Sequence, residues 1–225
     1  ADILSKGGNA VDAAVATGIA LAVTLPRAGN LGGGGFMIIH LAKEKKNIAI
    51  DYREMAPKAS HRDMFLDENG DVDNKKARYS HLSAGIPGTV AGMSHALQKY
   101  GTMTWFEVIQ PAIKLAEEGI LVSYDLADNL KRRHSWLTAN EATAKAYYKK
   151  NGVPYQPGEV LVQPDLAWSL KRLAEHGPHE FYLGEIAQKI TADMKKHGGL
   201  ITMEDLANYK VAEREVISST YRDYD

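Results

Sequence analysis

The chain has 225 residues, 27 of them basic and 28 acidic, a formal net charge of −1 and no cysteine. That length is enough for one sizeable core. The near-neutral balance excludes the broad basic face that nucleic acid requires, and the lack of cysteine excludes disulfides, thiolate metal sites and a cysteine nucleophile.

Taken in order, Ala1 to Lys6 reads as the end of a helix closed by Gly7-Gly8. Asn9 caps the next helix, with Asp12 in its first turn facing the dipole. Ala10, Val11, Ala13, Ala14, Val15, Ala16, Ile19, Ala20, Leu21 and Val23 cover most of its circumference, which predicts burial on more than one side. Pro26 stops it. Its apolar run, Ala13 to Leu25, is shorter than the ~20 residues of a membrane span. Asp2 and Asp12 stand where a signal peptide would carry basic residues. No membrane span is expected.

The stretch Gly29-Asn30-Leu31-Gly32-Gly33-Gly34-Gly35-Phe36 follows. Four consecutive glycines allow very close approach by other groups. Phe36 to Leu41 and Ile48 to Tyr52 are rich in strand formers around a charged turn at Lys43 to Asn47, which predicts an antiparallel hairpin with the helix packed on a sheet. The chain leaves the sheet at Met55-Ala56-Pro57. Arg62 to Leu66 reads as one helical turn. Asp67-Glu68-Asn69-Gly70-Asp71 reads as a solvated turn, because the closing glutamate of a calcium loop is missing.

Ser83 to Thr89 is a second glycine-containing connection that opens a helix reaching about Tyr100. Thr104 and Glu107 fit a capping box for a helix to about Glu118, in which Pro111 is expected to kink or split the turn. One further helix, started by Ser123 or Asp125, carries Leu126, Leu130 and Trp136. Asn140 to Tyr148 reads as an exposed helix, and Val160 to Val162 as a strand or extended segment. Pro164 opens a helix bearing Leu166, Trp168, Leu170 and Leu173. Gly184 to Lys196 is amphipathic, Thr202 caps a short helix, and Glu213 to Tyr221 reads as strand. The expected class is therefore α/β (α+β): antiparallel strands near both ends, a mostly helical insertion over roughly 85–210, and one domain spanning 1–225. Both ends read as cut inside an element, so a continuation is expected and the chain is read as a partial fold.

Arg53 is the sharpest candidate for chemistry. Its guanidinium is a fork of donors that matches a carboxylate bidentately. The alternative is a structural ion pair with Asp51 or Glu54. The glycine run lacks the Lys-Ser/Thr and following helix of a phosphate loop. The eight histidines show no zinc-ligand spacing on a predicted helix. Glu117 and Glu118 are adjacent and face different directions, and no serine lies in a nucleophile-elbow context. No catalytic nucleophile is expected in this chain, and no metal or cofactor site.

Several stretches, in order, resemble the large subunit of bacterial γ-glutamyltranspeptidase. They are Gly7-Gly8-Asn9-Ala10-Val11-Asp12, then Gly29-Asn30-Leu31-Gly32-Gly33-Gly34-Gly35-Phe36-Met37, then Tyr52-Arg53-Glu54-Met55-Ala56-Pro57, then Gly85-Ile86-Pro87-Gly88-Thr89. Gly198-Gly199-Leu200-Ile201-Thr202 and Tyr221-Arg222 also fit. The resemblance implies an N-terminal-nucleophile (Ntn) hydrolase with a four-layer αββα sandwich, made as a precursor that cleaves itself into large and small subunits. It implies attack by a small-subunit threonine on the γ-glutamyl amide of glutathione and related compounds, with transfer to water, amino acids or peptides. It implies a periplasmic or extracellular site of action, no cofactor, and Arg53 as the residue binding the substrate α-carboxylate. This chain alone would be inactive. A stand-alone amino-acid-binding module, or an Ntn acylase acting on another amide, is the alternative.

Overall fold

The computed structural model describes residues 1–222. In chain order the elements are α1 (Asp2–Ser5), α2 (Ala10–Thr24), β1 (Phe36–Leu41), β2 (Lys46–Asp51), α3 (Asn74–Tyr79), α4 (Thr89–Tyr100) and α5 (Trp105–Glu118). There follow β3 (Ile120–Leu121), α6 (Tyr124–Arg132), α7 (His134–Leu137), α8 (Glu141–Tyr147), β4 (Val160–Leu161) and α9 (Pro164–His176). The described chain ends with α10 (Glu180–Leu183), α11 (Glu185–Lys196), α12 (Met203–Ala207) and β5 (Ala212–Arg214). The expected class, α/β with antiparallel strands, is the one observed. The elements form two compact units, Ala1–Asn30 with Thr102–Gly177, and Leu31–Gly101 with Pro178 onward.

The first unit is mostly helical, with β3 and β4 as a short antiparallel pair. Its centre is α5, packed against α2 and α9. Val15, Ile19 and Val23 of α2, Val108, Ile109, Ala112 and Ala116 of α5, and Leu170 and Leu173 of α9 are buried. The expected capping boxes form: Asn9 with Asp12 on α2, and Thr104 with Glu107 on α5. Asp12 does more than face the dipole. It is fully buried, and it accepts hydrogen bonds from the Asn9, Thr102 and Met103 amides (2.7, 2.9 and 3.0 Å) and from the Thr102 hydroxyl (2.7 Å). Burial pushes this carboxyl up, but the bonds from Thr102, Met103 and Asn9 outweigh burial and hold it below its ordinary range.

Three expectations are corrected here. Helix α2 buries one broad stripe, Val11, Val15, Ile19 and Ala22 with their neighbours, rather than more than one side, and leaves Leu21 exposed. Pro111 does not split α5, which is continuous from Trp105 to Glu118. The helix expected to reach Trp136 breaks at Arg133 into α6 and α7.

The second unit holds a three-stranded antiparallel sheet of order β1-β2-β5. Pairing of Ile39 with Ile48 and Met37 with Ile50 puts one face inward, where α4 packs against β2. The other face carries Phe36 and Ile38, 62% and 68% exposed. Behind α4, a core of Ile86, Ala187, Ile201 and Leu206 fixes α11 and α12, with Tyr182 and Tyr209 packed against it. The third strand is shorter than expected, three residues rather than Glu213 to Tyr221. Residues 62–66 form a hydrogen-bonded turn rather than a helix, closed by a bridge between Leu66 and Val72. The short helices α3 and α10 were not expected. The closing strand expectation at residues 223–225 lies outside the described residues.

Candidate functional site

Segment 52–58 leaves β2 and is fixed at Tyr52, Arg53, Met55 and Lys58. Tyr52 exchanges two main-chain bonds with Gly35 (2.9 and 3.2 Å). Met55 exchanges two with Ile86 (3.2 and 2.7 Å). The Lys58 amide donates to Asp205 on α12 (2.9 Å). Between them, the Arg53 amide donates to Asp51 Oδ1 (3.1 Å), and the Arg53 carbonyl accepts from the Tyr209 hydroxyl (2.8 Å).

The glycines earn their place by proximity. A β-carbon on Gly34 would run into the Tyr52 carbonyl and lie 2.8 Å from the Glu54 nitrogen and 2.9 Å from the Arg53 carbonyl carbon. A β-carbon on Gly88 would run into the Tyr52 carbonyl and the Tyr209 hydroxyl. The two loops are also joined directly, since the Gly88 and Thr89 amides both donate to the Gly33 carbonyl (2.7 and 2.9 Å). The glycine run is thus a close-packing cradle for the Arg53 peptide, as its lack of side chains predicted.

Of the two ion pairs weighed for Arg53, only one forms. Glu54 Oε2 lies 3.5 Å from Arg53 Nε. Asp51 instead pairs with Arg214 (2.6 Å). The bond from the Arg53 amide, then the pair with Arg214, hold the Asp51 carboxyl below its ordinary range. The Arg53 guanidinium lies over the Phe36 ring, 5.8 Å from its centroid. Its side chain is 65% exposed, and its two terminal nitrogens carry no bond to any described residue. An exposed fork whose terminal nitrogens have no partner among the described residues, on a locked backbone, can take a carboxylate bidentately without first breaking a pair.

Tyr209 was not singled out by the sequence, because its role depends on a partner far along the chain. Tyr209 and Arg53 are 156 residues apart. Burial, then the charges of Asp51 and Glu54, push the Tyr209 phenol up to about 12, so it stays protonated and donates.

Five of the eight histidines have these partners: His40 with Asn47, His95 with Glu213, His134 with the Gly152 carbonyl, and His81 with Asp193 while stacked on His197. Among the described residues no group of three or more His, Asp or Glu is placed to hold a metal.

The fold is that of an Ntn hydrolase, by its likeness to solved structures. It matches the crystal structure of Helicobacter pylori γ-glutamyltranspeptidase with a TM-score of 0.96 at 48% identity, over 99% of this chain and 64% of that one. It also matches a cephalosporin acylase from Bacillus halodurans with a TM-score of 0.85 at 29% identity, over 98% of this chain and 41% of that one. The chain belongs to the γ-glutamyltranspeptidase family, whose model matches residues 1–225. It is 57% identical to the glutathione hydrolase proenzyme of Escherichia coli over 223 residues, 99% of this chain and 38% of that relative. The chain therefore spans about two fifths of the length of the curated relatives it matches.

Proposed function

We propose that this chain is the large-subunit part of a γ-glutamyltransferase/glutathione hydrolase, and that Arg53 binds the α-carboxylate of the γ-glutamyl group. The nucleophile, a threonine, lies on a small subunit released from the same precursor and is absent here. That threonine forms a γ-glutamyl-enzyme, which water or an amino-acid or peptide amine resolves. The two compact units belong to one Ntn domain. The enzyme acts in the periplasm or outside the cell. Among the described residues, no helix is long and apolar enough to cross a membrane.

The observation that carries the reading is the Arg53 fork: exposed, with both terminal nitrogens open among the described residues, on a backbone locked by two glycine loops. The outer face of the sheet, where Phe36 and Ile38 lie exposed beside it, suits a second sheet packed face to face. The small subunit supplies that sheet. The names of the relatives, glutathione hydrolase proenzymes, support both the substrate and the processing.

The test is kinetic. In the complete enzyme, Arg53→Ala raises the KM for γ-glutamyl donors about tenfold or more, the loss of ~1.4 kcal/mol of head-group binding. An unchanged KM would overturn the assignment. The likeness to a cephalosporin acylase favours a second reading, an Ntn acylase acting on another amide. A panel of glutathione, γ-glutamyl anilides and acyl amides without an α-carboxylate separates them, because only the first two engage Arg53. An amino-acid-binding module would show binding of free glutamate without turnover of any of them.

A further inference from the structure

Arg53 is the one residue of segment 52–55 whose own peptide groups are held only by side chains. Tyr52 and Met55 are paired to main chain on both their N–H and C=O. The Arg53 N–H goes to Asp51 Oδ1 and its C=O to the Tyr209 hydroxyl. The orientation of this peptide sets where a long, exposed side chain begins, and so where its fork can reach.

Tyr209 is itself immobilised. It follows α12, whose Leu206 is fully buried in the core of the unit. Its ring stacks on Tyr182 at 5.8 Å between centroids and 14° between planes. The Tyr182 hydroxyl donates to the Pro87 carbonyl (3.0 Å) and accepts from the Ala91 amide (3.0 Å). Gly88 leaves the space that the Tyr209 hydroxyl occupies. A rigid chain of contacts thus runs from the core of α12 through two stacked phenols to the Arg53 carbonyl.

We infer that Tyr209 is a positioning residue for recognition of the substrate's amino-acid head group, fixing through the Arg53 carbonyl the direction in which the guanidinium fork is presented. The inference rests on the reading of Arg53 as the carboxylate-binding residue. Tyr209 need not touch the substrate. Its effect belongs to ground-state and transition-state binding alike, because the head group is held throughout the reaction, so it appears in KM rather than in kcat.

The experiment is a double-variant cycle in the complete, matured enzyme with a γ-glutamyl anilide as donor. Tyr209→Phe keeps the ring and its stack and removes only the hydroxyl. It raises KM about three- to tenfold, the weight of one hydrogen bond, and leaves kcat within about twofold. KM does not depend on how much of the sample is folded, so a partial loss of matured enzyme cannot imitate this result. In the Arg53→Ala background, Tyr209→Phe adds no further rise, because the group it positions is gone. Tyr100→Phe, which removes a hydroxyl bonded to Glu213 in the same unit, leaves KM unchanged. If Arg53→Ala raises KM while Tyr209→Phe does not, or if the two effects multiply in the double variant, the positioning role is wrong and the Arg53 assignment survives. If Arg53→Ala itself leaves KM unchanged, the Arg53 assignment fails and the positioning role falls with it.

Discussion

A side chain at Gly34 would occupy the space now filled by the Tyr52–Arg53–Glu54 backbone, whereas a β-carbon at Gly32, two residues earlier in the same loop, meets no atom within 4 Å. The two substitutions are chemically identical and separate close packing from mere loop flexibility. Gly34→Ala is expected to cost about 1–3 kcal/mol through overpacking and to raise KM by displacing Arg53. Gly32→Ala is expected to change stability by less than ~0.5 kcal/mol. Parallel melting curves and donor titrations check both. Arg53→Lys keeps the charge and loses the planar fork, so its KM is expected to rise as well, by less than that of Arg53→Ala. The arginine was legible in the sequence because its donor geometry and its position at a strand end are both local features. The partner of Asp51 was not. Proximity in sequence pointed to Arg53, and the side chain that took the carboxylate, Arg214, is 163 residues away. A cross-strand pair between β2 and β5 leaves no trace in local spacing.

The helix starts were legible for a physical reason: caps are written in adjacent residues. Asn9 with Asp12 and Thr104 with Glu107 form the reciprocal bonds expected of them, and Thr202 does the same with Asp205. The short helices α3 and α10 were missed because four to six residues carry too little apolar periodicity to register. Asp12 is where an element joins its neighbour. Removing its carboxylate strands three amide donors that end on a buried acceptor, so Asp12→Ala is expected to destabilise the chain by about 3 kcal/mol, read as a lowered denaturant midpoint. Strand β5 is joined to α4 by Glu213, which accepts from Lys99 (2.6 and 2.7 Å), His95 (2.8 Å) and Tyr100 (2.9 Å). The Lys99 and His95 bonds, in that order, pull its carboxyl from an ordinary 4.5 down to about 2. A depressed carboxylate stabilises the fold fully above its unfolded value and loses that contribution as pH falls. Stability should therefore decline as the pH drops from 4.5 toward about 2. Glu213→Gln should remove part of this dependence, so the gap in melting temperature between the two proteins should narrow as the pH falls through that window.

At the scale of the whole molecule, the chain is two compact units that span about two fifths of the length of the curated relatives it matches. The outer face of the sheet leaves Phe36 and Ile38 exposed, and α2 leaves Leu21 exposed; under the proposed function the sheet face is where the small subunit packs. The apolar pattern of α2 was read as burial on more than one side, whereas exposure in this chain records only its own neighbours. The glycine cradle, the Arg53 fork and the Tyr209 bond form one connected arrangement within the second unit. The most direct measurement is a crystal structure of the complete, matured enzyme with glutamate bound. Both α-carboxylate oxygens are expected within about 2.7–3.2 Å of the two terminal nitrogens of Arg53, with the γ-carboxyl directed at a threonine of the small subunit. Glutamate bound with its α-carboxylate held by other residues, and Arg53 still turned to solvent, would contradict this expectation.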